Sequence, residues 1–195
     1  MPRKKREESP TGVYHWIVRG MNKRKIFHHG EDIVQFFSLM KEYQKENGIL
    51  IYHYCLMTNH VHMLVWAGKM ELLSRFSHYV QRRYAYYYCK KYKWTGSVFQ
   101  RGYKSFVIDR DEYLLECGRY IERNPVRAKM VKAPEEHEAS SYRYYADGKS
   151  DDLLTPSPAY LGLSEDSKKR QELYRKHVCE SRIYEEMKER GLLGD

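Results

Sequence analysis

Two stretches whose apolar residues recur at helical spacing, each bracketed by short runs of strand character, constrain this chain more than any single motif. In the first, Ile33, Phe36, Phe37, Met40 and Tyr43 repeat at intervals of three and four as far as Asn47-Gly48, a helix stop. Glu31 and Asp32 stand before them, where a first helical turn favours acids. In the second, Leu72, Leu73, Phe76, Tyr79, Val80 and Tyr84 form one stripe of a helix over residues 70–92. Ahead of the first helix, residues 12–19 are apolar on both alternating faces, as suits a central strand. Between the helices, residues 49–57 and 60–66 read as strands joined by a tight Thr58-Asn59 turn, and residues 103–108 give a short strand after the second helix. The order βαββαβ predicts an α+β fold, a ferredoxin-like split βαβ antiparallel sheet with the two long helices covering one face.

A third helix follows, with Tyr113, Leu114, Cys117 and Ile121 as its apolar stripe. Pro125 removes a backbone donor and disfavours helical geometry at Asn124, so this helix is expected to end or kink there. Residues 147–157 have the composition of a linker. Residues 164–190 read as one or two charged helices anchored by Leu173, Tyr174, Val178, Ile183, Tyr184 and Met187. The expected division is a disordered basic arm over 1–10, a catalytic domain over 11–146, and a linker with a C-terminal helical extension over 147–195. A chain of 195 residues leaves room for one core domain of average size.

The formal net charge is +9, which points to a polyanionic partner, since each phosphate contact releases condensed counterions. The 19 tyrosines dispersed among the basic residues favour unpaired nucleic acid, whose bases stack on aromatic rings. Cys55, Cys89, Cys117 and Cys179 are too far apart for a metal knuckle or a dense disulfide framework and are read as free thiols. No apolar run approaches the length of a membrane span or a signal peptide, so no membrane partner is expected and the chain is read as cytoplasmic.

Three segments carry chemistry. In Asn59-His60-Val61-His62-Met63-Leu64 the two histidines are two residues apart on a strand and so share a face, with Cα atoms about 6 to 7 Å apart, within reach of one metal ion. In Arg119-Tyr120-Ile121-Glu122-Arg123-Asn124-Pro125, Tyr120 and Asn124 are neighbours on one helical face, with Arg119 and Arg123 as a basic rim. Phe99-Gln100-Arg101-Gly102-Tyr103-Lys104 combines aromatics, cations and a flexible glycine, a mixture able to stack bases and hold phosphates.

Together with Tyr14-His15-Trp16-Ile17-Val18-Arg19-Gly20 at the start and Ser140-Ser141-Tyr142-Arg143 at the end, these segments resemble the HUH single-strand transposases, and among them the tyrosine transposases associated with repetitive extragenic palindromes. The resemblance spans residues 13–143 in the family's order. It departs at Thr58, where the family usually has proline, and it does not reach the extension. It implies a metal-dependent single-stranded DNA endonuclease and strand transferase acting at hairpins or palindromic repeats. Tyr120 would be the nucleophile, leaving a 5′-phosphotyrosine and a free 3′-hydroxyl. His60, His62 and Asn124 would hold a divalent metal, Mg²⁺ or Mn²⁺. Arg19, Arg82, Arg83, Arg101, Lys104, Arg119, Arg123, Arg127 and Arg143 are the basic side chains expected to contact DNA, and the enzyme is expected as a monomer or homodimer. The competing readings are a cleavage-inactive hairpin-binding protein of the same fold and a nuclease that hydrolyses with activated water.

Overall fold

The structure is a computed structural model that describes residues 6–100, 102–110 and 112–180. Four strands, β1 (Val13–Arg19), β2 (Leu50–Met57), β3 (His60–Trp66) and β4 (Lys104–Ile108), form one sheet in the order β2-β3-β1-β4. Every neighbouring pair is antiparallel. Helix α1 (Gly30–Asn47) connects β1 to β2, and α2 (Met70–Tyr92) connects β3 to β4. This is the split βαβ arrangement that the alternation of periods predicts, and the ends of β3 and α2 fall where the sequence places them.

The two long helices pack against each other on one face, over a core that includes Tyr14, Trp16, Val18, Tyr54, Leu56, Val61, Met63 and Val65 from the strands. Polar atoms inside this layer are matched: Trp16 Nε1 donates to Ser77 Oγ at 2.9 Å, and Tyr84 donates to the Ile26 carbonyl at 2.6 Å. The start of α1 is pinned to the end of α2 through Asp32. Its carboxylate accepts from the His28 and His29 amides at 2.8 and 3.0 Å, from Lys91 at 2.7 Å and from the Tyr92 hydroxyl at 2.6 Å. Burial alone would raise the Asp32 pKa, but these donors hold it far below the usual carboxylate range.

Helix α3 (Glu112–Glu122) lies on the opposite face, a placement that apolar spacing could not supply. Leu114, Cys117, Tyr120 and Ile121 meet Val13, Cys55, Met57, Leu64 and Ile108 there. The expected break before Pro125 takes the form of a tight join at Arg123 into a short helix α4 (Asn124–Arg127).

Three further helices follow, α5 (Tyr142–Asp147), α6 (Pro158–Leu161) and α7 (Ser167–Cys179). Tyr142, Tyr145, Tyr160, Tyr174 and Val178 give them a small core of their own. Residues 148–157 run along the outer edge of β2, where the Thr155 amide donates to the Ile51 carbonyl at 2.9 Å and Leu153 is buried. Further along that edge, the Leu56 amide donates to Ala139 and the Ser141 amide to Tyr54. The β2 edge of the sheet is thereby covered by the chain that follows α4. The anchors expected at Ile183, Tyr184 and Met187 lie outside the described residues. Among the described residues no helix is long and apolar enough to cross a membrane.

Candidate active site

The pairing of β1 with β3 sets Arg19 opposite His60, Ile17 opposite His62 and His15 opposite Leu64. Alternation then puts His15, Arg19, His60 and His62 on one face of the sheet, the face that α3 covers. The His60 and His62 rings lie 4.8 Å apart at 79°, and His15 stacks on His62 at 5.1 Å with its Nε2 2.9 Å from His62 Nδ1. Helix α3 brings the Tyr120 ring edge-on to both His62 and His15, 5.8 Å from each. The Arg127 guanidinium covers that phenol ring at 4.7 Å, and Tyr120 is 4% exposed. Tyr120 therefore meets His62 in space although 58 positions apart in sequence, as the resemblance implies.

Burial pushes the His60 pKa down to about 4, with Arg19 adding to the effect. His62 is held well below its ordinary value, first by burial and then by His15, His60, Arg19 and Arg127. Both rings are thus neutral at pH 7 and carry a lone pair fit for a metal. Among the described residues no group of three or more His, Cys, Asp or Glu side chains is arranged to hold a metal ion. Asn124 is 9% exposed, and its side-chain nitrogen donates to the Tyr120 and Ile121 carbonyls at 2.9 and 3.3 Å. That fixes its amide at the end of α3 with the oxygen turned away from those carbonyls. Two imidazole nitrogens and one amide oxygen are a chemically reasonable partial set for Mg²⁺ or Mn²⁺, leaving positions for phosphate and water.

The expected DNA contacts divide into groups. Arg19 and Arg127 are at the site, and the exposed Lys104 pairs across the sheet with Ile17 on the same face. Arg82 and Arg83 are exposed on α2, on the far side of the sheet. Arg143 donates to the Glu135 carbonyl at 2.9 Å, and Arg101 lies outside the described residues. Arg119, 2% exposed, and Arg123 reach the end of α7: Arg119 Nε donates to the His177 carbonyl at 3.0 Å and Arg123 Nη1 to the Val178 carbonyl at 2.9 Å.

The family model described as "Transposase IS200 like" matches residues 9–124, more than half of the chain and every site residue from His15 to Asn124. The chain belongs to the IS200-like transposase family. A structure of a REP-associated tyrosine transposase bound to a REP hairpin shares the fold of this IS200-like transposase at a TM-score of 0.65 and 14% identity, covering 80% of this chain and 93% of that one. A crystal structure of a candidate transposase from Deinococcus radiodurans R1 aligns at 17% identity and a TM-score of 0.43, over 71% of this chain and 99% of that one. No curated protein matches.

Two residues of this transposase site received no role from the sequence. His15, fully buried, bonds to His62; it sits in the β1 alternation, but only the strand register shows that it faces the histidine pair. Asn59 places its Oδ1 2.5 Å from His60 Nδ1, a contact that no periodicity announces.

Proposed function

We propose that this chain is a metal-dependent single-stranded DNA endonuclease and strand transferase acting at hairpin or palindromic repeats. The observation that carries the reading is the meeting of Tyr120 with His62, whose ring in turn lies against His60 on the same strand face, both histidines being held toward their neutral form. A transposase-like role on DNA follows from the family; nicking through Tyr120 is our reading of the site. The hairpin-bound fold relative supports a hairpin as the partner, and the basic side chains at the site suit a phosphate backbone.

The Tyr120 phenol oxygen attacks the phosphorus, the bond from phosphorus to the 3′ oxygen breaks, and a 5′-phosphotyrosine forms. The phenol gives up one proton and the departing 3′-hydroxyl takes one, so the step is balanced. A neutral phenol of pKa about 10 is a weak nucleophile, and the site must assist it. His60, His62 and Asn124 are the residues that would hold a divalent ion, Mg²⁺ or Mn²⁺, which supplies Lewis-acid polarisation of a non-bridging phosphate oxygen. Arg127, now over the Tyr120 ring, and Arg19, opposite His60, are the cations that would receive the phosphate. The covalent ester retains the energy of the cleaved bond, so a second 3′-hydroxyl can displace Tyr120 and join strands.

Incubation with single-stranded oligonucleotides carrying palindromes and Mn²⁺, followed by a denaturing gel, is the test. The reading predicts a protein-linked product that persists under denaturation and is missing with Tyr120→Phe, while that variant still binds the hairpin. Cleavage with no covalent product indicates hydrolysis by water, and binding without cleavage indicates a hairpin-holding protein; either result defeats the proposal.

A further inference from the structure

We propose that Asn59 is a positioning residue that fixes the ring tautomer of His60, leaving the Nε2 lone pair bare for the site. Its side-chain amide bridges two groups. Nδ2 donates to the Lys23 carbonyl at 3.0 Å, and Oδ1 lies 2.5 Å from His60 Nδ1. A carboxamide has one donating and one accepting end, and a carbonyl only accepts, so the Lys23 carbonyl fixes which end faces it. The oxygen is then committed to His60. As that oxygen accepts only, Nδ1 must carry the proton of the neutral ring, and Nε2 carries none.

The backbone around this bridge is held on both sides, which makes the amide a fixed reference and not a free rotor. The Gly20 amide donates to the Asn59 carbonyl at 2.8 Å, and the Ile26 and Phe27 amides both donate to the Thr58 carbonyl, at 2.9 and 3.2 Å. The loop between them turns back through Asn22 and Lys23, whose φ values of 51° and 59° are left-handed. Such a conformation is uncommon outside glycine and marks a loop held by its surroundings. The close return is visible at Gly20, where a Cβ would collide with the Arg24 carbonyl oxygen. The chain after β1 is thus folded so that a backbone carbonyl reaches Asn59, and through it the ring of His60.

The benefit to catalysis rests on the metal reading above, whereas the tautomer stands independently of it. Histidine-selective ¹⁵N labelling at pH 8, with His60 identified by loss of its signal in His60→Gln, reads both ring nitrogens directly. Wild type is expected to show a protonated, pyrrole-like Nδ1 and a bare, pyridine-like Nε2. Asn59→Asp keeps the acceptor and should keep this pattern. Asn59→Leu removes it, and the ring should shift toward the Nε2–H form. Titration with Mn²⁺, followed by paramagnetic broadening, should show roughly 10- to 100-fold weaker binding in Asn59→Leu, the range seen when a ligand's outer partner is lost. An Nε2–H ring in wild type overturns the proposal, and so does an unchanged tautomer in a folded Asn59→Leu. The wild-type spectrum decides the tautomer even if the leucine variant does not fold. Should the tautomer behave as expected while wild type binds no Mn²⁺, Asn59 keeps its role and the metal reading fails.

Discussion

Two histidine sites, a group of three and a single ring, lie on the same face of the sheet beneath the same helix, and they are built in opposite ways. At one end of α3, His15 and His62, bonded to each other, lie against Tyr120, and His60 beside His62 bonds the amide of Asn59. A little further along, His53 on β2 meets Glu122, two residues beyond Tyr120, with Nδ1 at 3.0 Å from the carboxylate. Ser141 and Tyr174 donate to that carboxylate at 2.6 and 2.7 Å, and Tyr145 stacks on the His53 ring at 4.3 Å. His53 and Glu122 are both fully buried. The first group holds His60 and His62 toward their neutral form beside Arg19 and Arg127, so it favours the arrival of negative charge. The second already contains its carboxylate, surrounded by donors from β2, the start of α5 and α7, and it ties the C-terminal helices to the helix that bears Tyr120. Residue type and face are shared; only the company of the imidazoles separates the proposed reactive centre from a fastening.

The sharpest separation is expected from Tyr120→Phe, which should lower strand cleavage by roughly 10⁴-fold or more while leaving the urea midpoint nearly unchanged. A residual rate above that would remove Tyr120 from the reaction. Glu122→Ala should act the other way. It takes the acceptor from the buried His53 and Tyr174 and one of two acceptors from Ser141, and is expected to cost about 3–5 kcal/mol in urea unfolding, with Mn²⁺ affinity of the folded protein unaltered. Loss of Mn²⁺ binding at intact stability would merge the two groups into one. A smaller effect is expected on the same helix at Gly118, where a Cβ would lie 2.7 Å from His53 Nε2. Alanine is the better helix former by about 1 kcal/mol, yet Gly118→Ala should destabilise by about 1–3 kcal/mol, because the ring is buried and bonded and cannot give way.

The least of these effects is a slope with pH. His60 in the folded chain takes its proton only near pH 4, whereas the unfolded chain takes it near the ordinary value of about 6.5. Between those values the unfolded state binds more protons, so stability should fall as pH drops through this window. His60→Gln should flatten the slope in urea midpoints recorded across it, and an unchanged slope would show that His60 is not held neutral by the fold.

The contrast also explains what the sequence could convey. The Tyr120–Asn124 pair was legible because the chain stays near-helical through the join at Arg123, and the His60–His62 pair because both lie on one strand whose period fixes which side chains share a face. The βαββαβ order was legible for the same reason. The side of the sheet that α3 covers was not, because the apolar stripe of a helix does not say which layer it meets. Arg119 and Arg123 read as a basic rim beside Tyr120, but their partners are carbonyls at the end of α7, some 55 positions away for the pair Arg123 and Val178. His15, Asn59 and the His53–Glu122 pair depend on strand register and on loop return, and such long-range pairings leave no periodic mark.

The most direct measurement is to trap the reaction with a single-stranded palindrome and Mn²⁺, digest the protein, and find by mass spectrometry which peptide carries the nucleotide. The peptide containing Tyr120 should bear a 5′-phosphate ester on its phenol. An ester on another residue, or cleaved strands with unmodified Tyr120 throughout, would contradict the assignment of the reactive centre.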